Sequence, residues 1–399
     1  MKIGIVASRY DLYPYTRNIV SIVPEAEYLR VKDLYGYFNV AFRRLNQATH
    51  REIVSISDLN NQFYDFNLNK VNLLHFFNGI SYGRTPWVST FETILPRFQD
   101  VLTGKHESQS DSASSAIRWK TRKAFEALAG DACKRIIALS DCNATMQRNL
   151  LGEFSAYKDL EKKMVVMHPP QNLLVSQYTD KEVDLDGKIK FMLVASSFFR
   201  KGGMEILETF KNLREKFNYN LELTIVSPLR SFDHYAVQES AIDVQQVVKI
   251  IRENNDWIKH FPKLPNNEVL AMMKAAHIGL LPTYADSYGY SVLEMQAAGC
   301  PVITTNIRAL PEINDNQKGW LIEVPKDPLG EAIYTTAEGR QAISAAIRLG
   351  LERALHEIFA DRSVIPVKAE NAMQSIKANH SVQDFAAHMR KIYQEALNL

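Results

Sequence analysis

Short apolar runs alternate with longer amphipathic stretches along the whole chain. In the first half these runs are "KIGIVAS", "VNLLHFF", "PWVSTF", "RIIALS" and "MVVMHPP", and turn or helical signals follow each of them. Continuous apolar runs of this length are typical of buried strands in a parallel sheet, whose neighbours are joined by helices. The pattern therefore predicts an α/β domain in the first half.

The same rhythm begins again after a polar stretch at Ser176–Lys188, with the runs "IKFMLVAS", "LELTIVS", "HIGLLPTY" and "PVITT". A chain of 399 residues also exceeds what one hydrophobic core usually supports. We expect a first α/β domain at residues 1–178 and a second at 179–380, with the polar stretch as their linker. The amphipathic segment 381–399 predicts a final helix, for which packing back on the first domain is one arrangement.

Composition excludes several classes of protein. Apolar residues make up 46% of the chain and charged residues 23%, which is typical of a globular protein. The 47 basic and 45 acidic residues nearly balance, so we expect no nucleic-acid partner. The three cysteines lack metal-ligand spacing, and no apolar run approaches the roughly 20 residues that span a bilayer. We therefore expect a cytoplasmic protein, with the inner face of the membrane as an alternative location.

The stretch "YADSYGYSVLEMQAAGCPVITTNIRALPEI" places a strand-to-helix turn around Gly289, between Asp286 and Glu294. Ligands of open α/β sheets bind beyond the carboxyl ends of strands, and a helix N-terminus attracts phosphate. Carboxylates accept hydrogen bonds from hydroxyl groups, so the pair suits a molecule with both phosphate and polyol parts, such as a nucleotide sugar. The alternative is that Asp286 caps the helix and Glu294 is solvated in its first turns.

The motifs "DSYGYSVLE", "AAGCPVITT" and "ALPEI" resemble the signature of the retaining nucleotide-sugar glycosyltransferases of family four, or glycosyl transferases group 1. The resemblance implies the GT-B fold, with two Rossmann-like domains whose parallel sheets face each other across a cleft. The family's paired glutamates fall on Asp286, one methylene shorter, and on Glu294. Asp286 would position the sugar hydroxyls and Glu294 the nucleotide ribose, while Gly289, Tyr290 and Ser291 complete the donor site.

A second motif, "LVASSFFRKGGMEIL", resembles the family's loop that holds the donor diphosphate. Lys201, beside a glycine at the start of a predicted helix, would neutralise phosphate charge as the sugar leaves. The family's earlier arginine falls on Ser196 or Ser197, so we assign Ser197 to the donor site and Arg200 as the substitute cation. Without the resemblance, "RKGG" would more often be a solvated turn.

The family's N-terminal domain binds the acceptor, and the resemblance is weaker there. The family's glycine-rich loop after the first strand is absent, and "SRYDLYPYTRN" stands in its place. Tyr13, Tyr15 and Arg17 in this stretch predict an acceptor site for a sugar or a phosphate-lipid. A long loop with amphipathic aromatic side chains explains the same residues equally well.

In "PWVSTFETILPRF", the position of the histidine that many relatives place beside the donor sugar falls on Glu92. The resemblance makes Glu92 a catalytic candidate, as a hydroxyl-binding group or a proton acceptor. The alternative is an acid near the start of the next helix. His75 and Asn78 end a neighbouring strand and are weaker candidates, because a lone histidine there is usually structural.

A basic segment, "AIRWKTRKAFEALAG", follows the polar loop at residues 103–116 and predicts a helix from about Ile117 to Ala129. Basic side chains around a tryptophan are typical of a helix on an anionic membrane surface, and "FNVAFRRLNQATHR" would add to that surface. Most such helices are simply solvated faces. The basic residues of the segment are Arg118, Lys120, Arg122 and Lys123.

Together these features predict a retaining glycosyltransferase that moves a sugar from a nucleoside-diphosphate sugar to a glycan or lipid-linked acceptor, in surface polysaccharide or lipopolysaccharide synthesis. The donor is a co-substrate, and we expect no cofactor and no metal. A dehydrogenase is disfavoured because no G-x-G-x-x-G follows the first strand. A sugar-nucleotide epimerase, a phosphorylase and an inactive GT-B scaffold that binds a glycan or a partner transferase remain alternatives.

Overall fold

A computed structural model describes residues 1–102, 112–229 and 241–398. The chain forms two compact units, Met1–Pro170 together with Val382–Leu399, and Gln171–Ser381. The expected linker Ser176–Lys188 therefore lies inside the second unit. Two side chains of this polar stretch, Tyr178 and Lys181, are nevertheless buried. The Nζ of Lys181 donates to the carbonyl of Ala298 at 2.7 Å.

Within its described residues the first unit contains a parallel sheet of six strands and a separate pair of strands. Its strands are Lys2–Val6 (β1), Glu27–Val31 (β2), Gln62–Phe63 (β3), Leu73–Phe77 (β4), Ile80–Ser81 (β5), Trp87–Phe91 (β6), Cys133–Ala138 (β7) and Met164–Val166 (β8). The order across the sheet is β2-β1-β4-β6-β7-β8, while β3 and β5 pair separately. All five apolar runs of the first half are strands of the large sheet. Strand β2 completes that sheet, and its sequence "EYLRV", which mixes charged and apolar residues, does not predict a strand.

Helices fill the connections of the first unit: Tyr13–Asn18 (α1), Leu34–Thr49 (α2), Ile56–Asn60 (α3), Gln99–Leu102 (α4), Ser112–Ala129 (α5) and Asp141–Glu153 (α6). The expectation of a long loop over Ser8–Asn18 is wrong, because α1 occupies most of it with Pro14 in its first turn, where the missing N–H costs nothing. Helix α5 begins at Ser112, earlier than expected. The rest of the predicted polar loop, 103–111, lies outside the described residues.

The second unit repeats this architecture. Its strands are Ile189–Val194 (β9), Leu221–Val226 (β10), Ile258–Phe261 (β11), Ile278–Leu281 (β12), Val302–Thr305 (β13) and Gly319–Ile322 (β14). They form a parallel sheet in the order β11-β10-β9-β12-β13-β14. Its helices are Gly203–Phe217 (α7), Ala241–Glu253 (α8), Asn266–Ala275 (α9), Tyr290–Ala297 (α10), Leu310–Ile313 (α11), Ala337–Ala360 (α12) and Val364–Asn379 (α13).

Each sheet has one point where the strand order reverses direction. In the first sheet the reversal lies between β1 and β4, and in the second between β9 and β12. Adjacent loops leave the carboxyl ends of such strands in opposite directions and open a crevice, which is where open α/β sheets bind ligands. The topology thus marks one candidate site in each unit.

The last helix, Val382–Leu397 (α14), packs on the first sheet. His75 lies fully buried beneath it, with Nδ1 2.6 Å from the hydroxyl of Tyr393 and Nε2 2.9 Å from the hydroxyl of Thr90. Burial lowers the pKa of His75 to about 3, so the ring is neutral at physiological pH. His75 therefore ties α14 to the sheet, as a structural histidine does.

Candidate functional site

The loops after β9 and β12 meet at the reversal point of the second sheet. Lys201 forms an ion pair with Asp286, and its Nζ also donates to the carbonyl of Ala285 at 3.2 Å. Arg200 donates to the same carbonyl through Nη1 at 3.1 Å. In return, the backbone N–H of Tyr284 donates to the carbonyl of Arg200 at 2.9 Å. The two loops are therefore bound to each other through both side chains and backbone.

Gly202 makes this close approach possible. Its φ is +73°, and a Cβ at this position would lie 2.1 Å from the carbonyl oxygen of Pro282. Only glycine meets both conditions without strain. Lys201 beside it is only 7% exposed, so "RKGG" is not a solvated turn.

The charges of Lys201, Arg200 and Arg308 act together in this site. Burial lowers the pKa of the Lys201 ammonium, and Arg200 and Arg308 lower it further against the opposing effect of Asp286. Burial by itself would raise the pKa of Asp286, but Lys201 and hydrogen bonding hold it below its usual value. Arg308 in turn forms an ion pair with Glu331. Lys201 and Arg308 are thus paired with carboxylates, whereas Arg200 forms no ion pair with any residue in the described ranges, so its charge favours an anionic ligand.

Asp286 also shapes the turn that leads into α10. Its Oδ1 accepts hydrogen bonds from the backbone N–H groups of Tyr288 at 3.1 Å and Gly289 at 3.0 Å. Gly289, with φ +94°, is the N-cap residue of α10 and offers that helix no side-chain cap. Asp286 is therefore a turn-forming residue and the partner of Lys201, and it leaves the N-terminus of α10 uncapped. Such an end attracts anions.

The other predicted donor residues lie close by in sequence and differ in exposure. Tyr290, Ser291 and Glu294 lie in the first two turns of α10 and are half-buried. Ser197 is buried, and its carbonyl accepts the backbone N–H of Lys201 at 3.2 Å. The backbone of Ser197 therefore stabilises the turn that carries Lys201.

An apolar pocket of about 1100 Å³ opens at the carboxyl ends of β9, β10 and β11. The sequence motifs did not predict it, although β10 ends at Val226 and is closely followed by Pro228 and Leu229, which line the pocket. His260 stands in its wall, held by a contact of 2.8 Å between Nε2 and the carbonyl of Ser227. Its apolar lining includes Val226, Leu229, Val248, Ile251, Leu264 and Val269.

Glu92 directly follows β6, at the carboxyl edge of the first sheet. Its Oε1 accepts a hydrogen bond from Nη1 of Arg97 at 2.7 Å, and its backbone N–H donates to Oδ1 of Asn78 at 3.1 Å. The side chain is 15% exposed and lines a pocket of about 590 Å³. Glu92 is thus fixed by an arginine at a pocket wall, and it does not begin a helix.

The three predicted acceptor residues of α1 take different positions. Tyr15 is 1% exposed, and its hydroxyl accepts the backbone N–H of Phe77 at 3.2 Å. Burial raises the pKa of Tyr15. Arg17 donates to the hydroxyl of exposed Tyr13. Of the three, Tyr15 is among the described residues that line the 590 Å³ pocket.

Acidic partners neutralise part of the basic helix α5. Lys120 forms an ion pair with Asp58, and Arg122 lies 3.5 Å from Glu126. The side chain of Arg118 lies outside the described residues. Among the helices that the structure describes, none combines the length and apolar character needed to cross a membrane. A membrane-facing role for α5 stays a prediction.

Comparison with known proteins agrees with this geometry. Residues 177–341 match the family described as glycosyl transferases group 1. A D-inositol 3-phosphate glycosyltransferase from Paenarthrobacter aurescens is 28% identical over 105 residues, which is 26% of this chain and 24% of the relative. The chain therefore aligns with about a quarter of the length of that curated relative. The group 1 segment contains Lys201, Asp286 and Glu294, whereas Glu92 lies outside it.

Solved structures extend the likeness to both units. A sucrose-phosphate synthase from Thermosynechococcus elongatus matches with a TM-score of 0.58 at 13% identity, covering 100% of this chain and 99% of that one. HepE from Anabaena, in complex with UDP-glucose, matches with a TM-score of 0.57 at 12% identity, covering 98% of each chain. Likeness at this identity concerns the fold, and the predicted GT-B class with two Rossmann-like units is confirmed.

Proposed function

We propose that this protein is a retaining glycosyltransferase that moves a sugar from a nucleoside-diphosphate sugar to a glycan or lipid-linked acceptor. The observation that supports it most is the meeting of the Lys201 and Asp286 loops at the reversal point of the second sheet. Cations and an uncapped helix end meet there, and an apolar pocket opens on the other side of β9, where Ala195 and Ser196 line it. This arrangement matches a ligand with a diphosphate and a flat base.

Each part of such a donor has a complementary surface in the second unit. The base would enter the 1100 Å³ apolar pocket. The diphosphate would lie against Arg200, Lys201 and the start of α10, where the charge of Arg200 is paired with no described carboxylate. Glu294 would accept hydrogen bonds from the ribose, and Asp286 from the transferred sugar.

The chemistry asks the protein mainly to stabilise charge. As the bond between the anomeric carbon and the diphosphate oxygen breaks, negative charge grows on the leaving diphosphate. Lys201 and Arg200 are fixed cations that stabilise this charge in a largely buried site. The acceptor hydroxyl then forms the new bond and gives up its proton to a base, the role proposed for Glu92. Because cations of the chain serve the diphosphate, the proposed reaction needs no metal.

One observation favours a second candidate function, an inactive scaffold that binds a glycan or a partner transferase. Lys201 and Asp286 are bound to each other, so a donor must compete with this ion pair to reach either group. Tight binding of a nucleotide sugar without release of nucleoside diphosphate, with every acceptor tried, would favour the scaffold. Release that requires an added acceptor would favour transfer.

Thermal unfolding in the presence of a panel of nucleotide sugars tests donor binding. UDP-glucose belongs in the panel because HepE holds it, and NAD serves as the control for a dehydrogenase. At a hundred times its dissociation constant, a true donor stabilises the folded protein by about 2.7 kcal/mol. We expect one nucleotide sugar to raise the midpoint and Lys201→Ala to reduce the rise. No rise with any nucleotide sugar, or an equal rise in the variant, would contradict the proposal.

The resemblance also suggests a setting in surface polysaccharide or lipopolysaccharide synthesis at the inner face of the membrane. Loss of the protein should then shorten or remove a surface glycan, visible on gels of extracted polysaccharide. Unchanged surface glycans in the deletion strain would argue against this setting.

A further inference from the structure

The 590 Å³ pocket of the first unit lies at that unit's own reversal point. Residues directly after β1, β4 and β6 line it, namely Arg9, Asn78 and Glu92. Helix α2 closes another side with Asn39 and Arg43. The pocket thus occupies the position at which open α/β sheets bind ligands, and none of the acceptor residues predicted from the sequence explains its charge.

Guanidinium groups dominate the charged lining of this pocket. Arg9, Arg43 and Arg97 face one carboxylate, Glu92, which forms an ion pair with Arg97. Neither Arg9 nor Arg43 forms an ion pair with any residue in the described ranges. The remaining polar lining is neutral and consists of serine and asparagine side chains and the hydroxyl of Tyr15. The pocket therefore carries two positive charges in excess.

A chain of side-chain hydrogen bonds holds Arg43 at the pocket wall. Its Nε donates to Oδ1 of Asn39 at 2.7 Å, and the amide of Asn39 donates to Oδ1 of Asn60 on α3. Asn39 is buried, although Arg43 is exposed. An arginine fixed through Nε presents its two terminal amino groups as a fork, which matches two oxygens of a phosphate or carboxylate.

Arg9 lines the pocket from the loop after β1. Burial raises the pKa of Tyr15, and the nearby charge of Arg9 opposes that rise. The Tyr15 hydroxyl is itself fixed by the backbone N–H of Phe77 at 3.2 Å. Asp33 lies near enough for its charge to interact with Arg9, but it accepts the backbone N–H groups of Tyr35 at 3.0 Å and Tyr64 at 3.2 Å. Asp33 thus serves the start of α2 and does not line this pocket.

We infer that Arg9 and Arg43 form a binding site for an anionic group, a phosphate or a carboxylate, carried by the acceptor. The assignment of this ligand as acceptor rests on the proposed transfer reaction, whereas the site itself does not. Exposed Leu12 and Val40 also line the pocket, at 52% and 55% exposure, so an apolar portion of the ligand would find contact beside the anionic one. A phosphorylated sugar and the phosphate of a lipid-linked glycan share this chemistry.

Isothermal titration with glucose 6-phosphate, glucose and inorganic phosphate tests the site without any transfer reaction. We expect the two phosphates to bind and glucose to bind far more weakly. Removing one charge-assisted contact by Arg43→Gln or Arg9→Gln should raise the dissociation constant about 10- to 100-fold. Arg43→Lys keeps the charge but loses the fork, so its effect should be intermediate.

Two matched controls locate the binding. Arg44→Gln removes the same charge from the next residue of α2, which does not line the pocket, and should change the constant by no more than about 2-fold. Lys211→Ala removes a cation of α7 in the second unit, outside the candidate donor site, and should leave phosphate binding unchanged. Equal affinity in the wild type, Arg9→Gln and Arg43→Gln would overturn the inference. Loss of phosphate binding in Lys211→Ala alone would overturn it as well.

Sedimentation with vesicles of phosphatidylglycerol, compared with phosphatidylcholine, distinguishes a lipid source of the anion from a soluble one. Binding to the anionic vesicles that weakens in Arg43→Gln but not in Arg44→Gln supports a lipid phosphate at the same site. The inference would be overturned if the wild type and Arg43→Gln bind the vesicles equally and neither soluble phosphate binds. If phosphate binding depends on Arg43 while no nucleotide sugar binds, the proposed transfer fails and the anion site stands.

Discussion

Lys201 and Asp286 lie in loops after different strands of one sheet, and each neutralises the other where both side chains are mostly buried, at 8% and 15% exposure. Desolvating either charge by itself is costly, so the pair is stable only while both members are present. The ion pair therefore couples the stability of the second unit to the geometry of its candidate donor site.

This coupling predicts a specific pattern of stability. Asp286→Asn should destabilise the second unit by about 3 kcal/mol, because it leaves the Lys201 ammonium buried without a counter-charge. Lys201→Met in the same chain should recover much of that loss. Urea unfolding of the wild type, both single variants and the double variant measures the coupling. Purely additive effects would mean that the two groups do not depend on each other.

Lengthening the carboxylate separates two roles of Asp286. Its Oδ1 accepts two backbone N–H groups two and three residues ahead, a turn geometry that a glutamate side chain does not reproduce. We therefore expect Asp286→Glu to lose most donor binding while the protein stays folded. Calorimetric titration with the best nucleotide sugar checks this. Full binding by Asp286→Glu would mean that the aspartate is only a shortened form of the family's glutamate.

Glycine substitutions test the contact between the two loops. Gly202→Ala places a Cβ against the carbonyl of Pro282 in a backbone conformation with positive φ. We expect it to lower the free energy of unfolding by more than about 1 kcal/mol and to weaken donor binding. Gly152→Ala in α6 is the matched control, since a Cβ there meets nothing within 4 Å. The control substitution should raise the free energy of unfolding by up to about 1 kcal/mol. Thermal unfolding of both variants measures the difference, and equal midpoints would refute the role given to Gly202.

His75 predicts a dependence of stability on pH. Its folded pKa is about 3 and its usual value is 6.5, so between these limits the unfolded chain binds a proton that the folded chain does not. Stability should therefore fall as the pH drops from 6.5 towards 3, by about 2 kcal/mol from His75 on reaching pH 5. Urea unfolding at pH 7.5 and pH 5 measures it. His75→Gln should show a smaller loss, and an equal loss in both proteins would exclude His75 as the source.

The sequence was most informative where local chemistry determines structure. Lys201 with Gly202, and Asp286 with Gly289, stand in motifs whose turns form within a few residues, so their place at strand ends was predictable. Strand β2 was missed because "EYLRV" lies at the edge of the sheet and lacks a continuous apolar run.

Other features depend on contacts distant in sequence. Tyr15 looked like a surface aromatic, and only the packing of α1 against β4 buries it. Arg308 follows β13 and reaches the Lys201 site through the fold of the second sheet. Helix α1, strand β2 and half of α2 separate Arg9 from Arg43, so their meeting at one pocket requires the tertiary structure.

Stabilisation of a leaving nucleoside diphosphate is the role that we propose for Lys201. The most direct test is the rate of nucleoside diphosphate release from the nucleotide sugar that stabilises the protein most, with and without phosphorylated sugars and lipid-linked glycans as acceptors. We predict acceptor-dependent release that falls at least about 100-fold in Lys201→Ala. Lys211→Ala, which removes an exposed lysine of α7, should keep the wild-type rate. Near-normal release by a folded Lys201→Ala variant would contradict the claim.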